Sequence, residues 1–217
     1  MASVGPGDHP VPWAMQLAVL VDKAHPASHI AACEAAARAV VTLLDDPRAV
    51  EGEWRDAVEH WRDGRIRKLV RRARGVRWDD VQQLPGVTVV QGRAAARAFV
   101  PGPVEPLPRP LAKLQVGGTE LPDDTASTTL DALVSIGVSP LVEMTTGKSA
   151  AQCGHAAQLA YEAMDAGERD RWRADGFRVR VHHVDRARWL EDAGRVHVVD
   201  AGFTELDGPT ETTRAWW

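Results

Sequence analysis

Gly147-Lys148-Ser149-Ala150-Ala151-Gln152-Cys153-Gly154-His155-Ala156 is the stretch on which the reading of this chain turns. A helix that starts near Gly147 puts Lys148, Gln152 and His155 at i, i+4 and i+7, one above another on a single stripe. The residues between are Ala, Gly, Ser and Cys, small enough to let the backbone lie close to a sheet or a substrate. An amphipathic core helix carries large aliphatics on its buried stripe, whereas this one lines up ionisable and amide groups. Further along comes Val198-Val199-Asp200-Ala201-Gly202-Phe203-Thr204, an apolar strand ending in an acid, a turn and a hydroxyl.

The rest of the chain reads as the same unit written twice. Met15 to Val21 is an apolar strand followed by an Ala-rich helix from Ser28. Leu141 to Met144 predicts a short strand, followed by the Ala-rich helix from Lys148 to Met164. Trp61 precedes Trp78, and Trp172 precedes Trp189, by the same 17 residues. The apolar runs Gly86–Gly92 and Gly194–Asp200 correspond, as do Arg97-Ala98-Phe99 and Arg214-Ala215-Trp216. Self-similarity on this scale is the mark of tandem units. In this register Cys33 falls with Cys153, Ser28 with Lys148, Ala32 with Gln152, Ala35 with His155, and Gln91 with Asp200. The first unit therefore lacks the polar groups of the second.

The expected organisation is a tail at 1–12, a first unit at 13–119, a linker at 120–138 and a second unit at 139–217. Gly117 to Thr125 reads as linker from its Gly, Pro and Asp. Leu130, Leu133 and Val134 predict a short helix within 125–137. Prolines 101, 103, 106, 108 and 110 argue for an extended wrap. Alternation of strands and helices predicts an α/β fold: two tandem units, each a mixed four-stranded sheet with flanking helices, mostly parallel with one antiparallel edge. In such sheets ligands bind beyond the carboxyl ends of strands. Both Gly147-Lys148 and Asp200 belong there, so the two motifs should converge.

GKSAAQCGHA (147–156) and DAGFT (200–204), in this order and strand context, resemble the type II peptidyl-tRNA hydrolases, the archaeal and eukaryotic kind. The resemblance covers about residues 139–217, with Phe203 where that family has an arginine. It implies hydrolysis of the ester joining a peptide to the 3′ end of tRNA, with tRNA as partner and no cofactor. The family's small units pair as dimers, so a fused pair with one degenerate copy implies a pseudo-dimer. On that reading Asp200 is the base or water-orienting group, and Lys148 holds it ionised or faces the developing oxyanion. Thr204 positions the water or the ribose hydroxyls, and His155 is a general-acid or binding candidate. Gly147, Gln152 and Gly202 line the substrate side. The alternatives are a non-catalytic RNA- or protein-binding module on the same fold, and an esterase for a non-tRNA acyl substrate.

Charge and composition bound the rest. The 217 residues carry a net charge of −4, so the molecule as a whole is not a polyanion-binding body. Residues 62–77 nevertheless hold eight Arg or Lys against one Asp, and Arg71, Arg72 and Arg74 are candidate tRNA contacts. No apolar run is long enough for a membrane span, and residues 1–12 lack a secretory h-region, so a cytoplasmic protein is expected. Cys33 and Cys153 read as small buried residues. Thr146-Gly147-Lys148-Ser149 lacks the Gly at Val142 that a P-loop requires. Cys153 and His155 point apart on a helix and form no dyad. His182 and His183, with Asp185, face opposite sides of a strand and share no ion easily. No metal is expected.

Overall fold

The computed structural model describes residues 11–64, 66–123, 126–200 and 208–217. Strand β1 (Trp13–Leu20) is buried along nearly its whole length, as the central strand of a sheet covered on both faces must be. Helix α1 (His29–Leu44) follows, started by Ser28, whose hydroxyl accepts the Ala31 N–H. Then come α2 (Pro47–Val50), α3 (Arg55–Asp63), β2 (Lys68–Ala73), α4 (Val76–Val81), β3 (Gly86–Gln91), β4 (Ala94–Phe99), β5 (Gly102–Pro103), α5 (Arg109–Ala112) and β6 (Gln115–Val116). The second half runs β7 (Val134–Val138), α6 (Thr146–Ala163), α7 (Ala166–Ala174), β8 (Val179–His183), α8 (Arg186–Glu191), β9 (Val196–Asp200) and β10 (Thr210–Trp216).

Two sheets result. The first has the order β3-β4-β1-β2-β6, with β5 added to β1; the second has the order β8-β7-β10-β9. In each, the first strand pairs in parallel with the strand that follows its helices, β1 with β2 and β7 with β8. It pairs antiparallel with the last long strand, β1 with β4 and β7 with β10. That strand pairs antiparallel with its predecessor in turn, β4 with β3 and β10 with β9. The sheets are therefore mixed as expected but mainly antiparallel, not mainly parallel. The cause is local: Gln91 pairs with Ala94 across a two-residue turn in which Gly92 takes φ 58, and so short a link can join only antiparallel strands.

Three sequence expectations are corrected. The strand expected at Leu141–Met144 lies earlier, at Val134–Val138, inside the segment read as linker. Val134, Ile136 and Val138 alternate with Ser135 and Gly137, a period-2 pattern that wins over the weak helical one. The short helix expected in 125–137 does not form among its described residues, where Ser127 and Thr129 spend their hydroxyls on Glu34. The proline run is not wholly extended either, since Pro110 sits in the first turn of α5, where its missing N–H costs nothing.

One apolar core runs through both halves. Helix α1 lies on β3 and β4 of its own sheet and reaches β8 of the other. Helix α6 lies on β9 and β10 of its own sheet and reaches β2 of the other. The two helices pack on each other through their alanines. Gly154 of α6 has no Cβ because one there would come within 3.0 Å of Val40 Cγ2. Cys33 and Cys153 are buried free thiols. They meet across this helix pair, where the Cys153 thiol and burial together push the Cys33 pKa up. They do not occupy matching places: counted from the caps Ser28 and Thr145, Ala36 stands where Cys153 stands. By the same count Ala31, Ala35 and Arg38 answer to Lys148, Gln152 and His155, three residues beyond the partners paired by sequence alone.

Trp61 and Trp172 close the matching corners. Each is fully buried, and each donates its indole N–H to a carbonyl six residues on, Arg67 at 3.1 Å and Arg178 at 2.9 Å. No helix among the described residues is long and apolar enough to cross a membrane.

Candidate active site

Helix α6 opens on Thr145, whose hydroxyl accepts the Lys148 N–H at 3.1 Å. The Gly147 N–H donates to the Thr119 carbonyl at 3.2 Å. The first turn of the helix is thus already partnered at Gly147 and Lys148. A Cβ on Gly147 would meet Thr119 Cβ at 3.4 Å, an ordinary contact distance.

The predicted convergence takes place at Asp200, the described residue of the second motif. Lys148 Nζ lies 2.6 Å from Asp200 Oδ2, joining the start of α6 to the carboxyl end of β9. Both side chains are largely buried, at 9 % and 15 % exposure, so the pair is little screened by water. Gln152, one turn beyond Lys148, donates its amide to the same carboxylate oxygen at 2.8 Å. Its own carbonyl oxygen accepts from the Thr212 hydroxyl at 3.0 Å, and Thr213 Oγ1 reaches its backbone oxygen at 3.2 Å. Gln152 is therefore held at both ends and orients Asp200. The substrate-lining role expected of it would require giving up one of these bonds.

Thr212 was not visible as a site residue in the sequence. It sits where the β10–β9 register slips between Glu211 and Thr213, and this bulge turns its fully buried hydroxyl toward α6. Gly202 and Thr204, with Phe203, lie outside the described residues.

His155 lies two turns along the same helix face. Burial, and then the positive charge of Lys68, push its pKa down to about 3, against the pull of Asp200. It is a neutral imidazole at physiological pH, which suits a hydrogen-bonding role better than that of an imidazolium acid. Lys68 comes from β2 of the other sheet. Its ammonium donates to Gln158 Oε1 and stands 5.0 Å over the Trp61 ring. Burial brings its pKa down to about 7, with Glu162 opposing. In the sequence Lys68 is one residue of the basic run 62–77; only the helix–sheet contact across the two halves brings it to α6.

The rest of that run divides. Arg71 is buried, with Nε on Gln16 Oε1 at 2.9 Å and Nη1 on the Leu114 carbonyl at 3.0 Å, so it is an internal strut and not a tRNA contact. Arg72 is half-buried and holds the Gly118 carbonyl at 3.0 Å and Gln115. Arg74 is exposed.

The first sheet carries a different cluster at the matching place. Arg38 donates to Gln91 Oε1 at 2.6 Å, and Gln91 donates to Thr129 Oγ1 at 2.8 Å. Glu34, 1 % exposed, accepts from Thr129 Oγ1 at 3.1 Å, from Ser127, and from the Val181 N–H at 3.0 Å. Chain from between the halves fills this position. A surface cavity of about 480 Å³ lined by Asp45, Tyr161, Arg169 and Arg173 lies at the C-terminal ends of α1 and α6, away from the Lys148–Asp200 pair. Its charges are already joined, Arg173 to Asp45 at 2.5 Å, so we place the chemistry at the pair and not in the cavity.

Residues 134–213 match the family model described as Peptidyl-tRNA hydrolase PTH2. The match begins at the first residue of β7 and ends within β10, so it takes in β7, β8, β9, the first part of β10, α6 and the Lys148–Gln152–Asp200 constellation. No curated protein and no solved structure matches the chain.

Proposed function

We propose that this protein is a peptidyl-tRNA hydrolase-like enzyme that cleaves the ester between a peptide and the 3′ end of tRNA. The observation that carries the reading is the Lys148–Asp200–Gln152 cluster at the mouth between α6 and β9, inside the segment that matches the family. Ester hydrolysis needs a water held against the carbonyl, a group to take its proton, and positive charge for the oxyanion. Asp200, held in place by Lys148 and Gln152, is the group that orients the water and takes its proton. Lys148 keeps the carboxylate ionised and brings a cation to the same place. His155 lies further along the same helix face, within the electrostatic reach of both Asp200 and Lys68. Gly202 and Thr204 complete the substrate side in this proposal, and Arg74 is the candidate contact to the tRNA backbone.

We also infer that the two halves are copies of one unit, and that the first is a permanent, inactive partner. Matching strand order, matching parallel and antiparallel pairings, and the reciprocal reach of α1 to β8 and α6 to β2 support this reading. So does the first half's Ala31, Ala35, Arg38 and Gln91 at the places of Lys148, Gln152, His155 and Asp200. On this reading the units divide near β7, at 134, with the preceding linker laid over the first unit.

The test is peptide release from an N-blocked aminoacyl-tRNA by the full chain, beside Lys148→Ala and Asp200→Asn. Release by the wild type that drops at least about a hundredfold in each variant supports the reading. Release that survives in both, or no release while tRNA is bound, overturns it, the latter in favour of a binding module.

A further inference from the structure

A second polar cluster lies where the connecting segment crosses the two halves. His29 is the first residue of α1, Asp123 belongs to the segment entering the second half, and His183 ends the edge strand β8. One ligand atom from each lies within 4.8 Å of those of the other two. The rings of His29 and His183 are 5.7 Å apart, and His183 Nε2 is 2.9 Å from the Asp123 carboxylate. His29 is only 5 % exposed. Its Nδ1 pairs with Thr146 Oγ1 at 3.1 Å, while its buried Nε2 has no hydrogen-bond partner.

That orphan nitrogen distinguishes the cluster from a surface His–Asp pair lying over a core histidine. Buried polar atoms are almost always satisfied, so one that is not calls for a partner of another kind. We propose that His29, Asp123 and His183 bind a zinc-class divalent ion that clamps the two halves together. Two imidazoles and one carboxylate suit zinc, cobalt or nickel, whereas calcium and magnesium prefer all-oxygen shells. Bonds of about 2.0–2.2 Å set tetrahedral ligand atoms about 3.4 Å apart. From separations of up to 4.8 Å, the exposed Asp123 and His183 side chains need to move by at most about 1.4 Å relative to the fixed His29 to reach that spacing.

The surroundings are arranged to suit. With Nδ1–H donating to Thr146 Oγ1, the lone pair of Nε2 faces the cluster, the outer-partner pattern of metal-bound histidines. Thr146 is itself fixed by the Leu121 N–H at 3.0 Å, and the His29 N–H is held by the Pro122 carbonyl at 2.7 Å, next to Asp123. The ion would tie α1, the connecting segment and β8 at one point. Through Thr146 it would also steady the start of α6, one residue before Gly147-Lys148. The histidine pairing considered from sequence differs: His182 turns to Ser135 at 3.4 Å and Asp185 caps α8, so neither joins His183.

Full-length protein stripped with a chelator and titrated with Zn²⁺ alone tests this by calorimetry, with Co²⁺ visible absorption reporting the ligand set. The expected result is one ion per chain and a thermal midpoint that rises with zinc. Asp123→Asn and His183→Asn, both surface changes, should weaken binding more than tenfold. Thr146→Val should weaken it about tenfold through the outer partner, and His182→Asn should leave it unchanged. The proposal is overturned if the wild type shows no saturable site, if His183→Asn and Asp123→Asn bind as tightly as the wild type, or if His182→Asn loses the ion.

Discussion

At the scale of single residues, the candidate site is a set of constraints on one carboxylate. Asp200 is held by Lys148 and by Gln152, and Gln152 by Thr212. Thr212→Val keeps the shape of the residue and removes the hydroxyl, leaving the Gln152 carbonyl oxygen unpaired in the interior. We expect a stability loss of about 1–3 kcal/mol in denaturant melts. We also expect peptide release to fall through kcat, with KM nearly unchanged, because Asp200 loses orientation and not contact with substrate. His155 gives a pH signature. Its folded pKa is depressed to about 3, below the usual 6.5, so the unfolded chain binds the proton first as pH falls. Stability should be full above about pH 6.5 and decline toward pH 3, by up to about 1.4 kcal/mol per pH unit. Melting midpoints of His155→Gln should show a flatter acid limb; an unchanged limb would show that His155 is not the group responsible. The stripe Lys148, Gln152, His155 was legible because helical period alone aligns it, and Asp200 because it ends an apolar strand. Thr212 was not, because a bulge alters which way a residue faces without altering any pattern of residue types. Arg71 and Lys68 misled for a related reason: a run of basic residues looks the same whether its stems point to water or into a helix contact.

At the scale of elements, β7 carries a glycine at which any larger residue would force its neighbours to move. A Cβ on Gly137 would lie 2.4 Å from Val184 Cγ2 and 2.9 Å from the Trp216 ring. Gly137→Ala should cost about 1–3 kcal/mol as strand and ring are pushed apart, measured by urea midpoint. That close approach went unseen because residues 120–138 read as linker, with the strand expected at Leu141–Met144. Between α6 and β2, Lys68 supplies a second test. Its folded pKa is lowered to about 7 from 10.5, so between these values the unfolded chain carries the extra proton. Stability should therefore rise with pH from about 7 toward 10, and Lys68→Met should remove that rise. Melts of both proteins across this range measure the difference, and parallel curves would count against a buried ammonium.

At the scale of the whole molecule, the halves share one core, and each central helix touches a strand of the other sheet. We expect one cooperative unfolding transition for the full chain in calorimetry. The halves expressed separately should lack sharp transitions of their own, since each leaves the alanine face of its helix bare; two independent transitions in the full chain would contradict this. The alternation of elements made the α/β class legible, and tryptophan spacing suggested that the halves correspond. The crossing of α1 and α6 was not legible, because contacts between alanines leave no periodic mark beyond that of an ordinary buried helix. This crossing has a consequence for how the molecule is made. Helix α1 ends at Leu44 and α6 begins at Thr146, so about 100 residues must be synthesised before the first helix meets its mate. At about 5–20 residues per second, the growing chain carries that greasy helix face uncovered for roughly 5–20 s. Its yield in the cell should therefore depend on what shields a nascent chain at the ribosome exit, more than on how firmly the finished protein holds together.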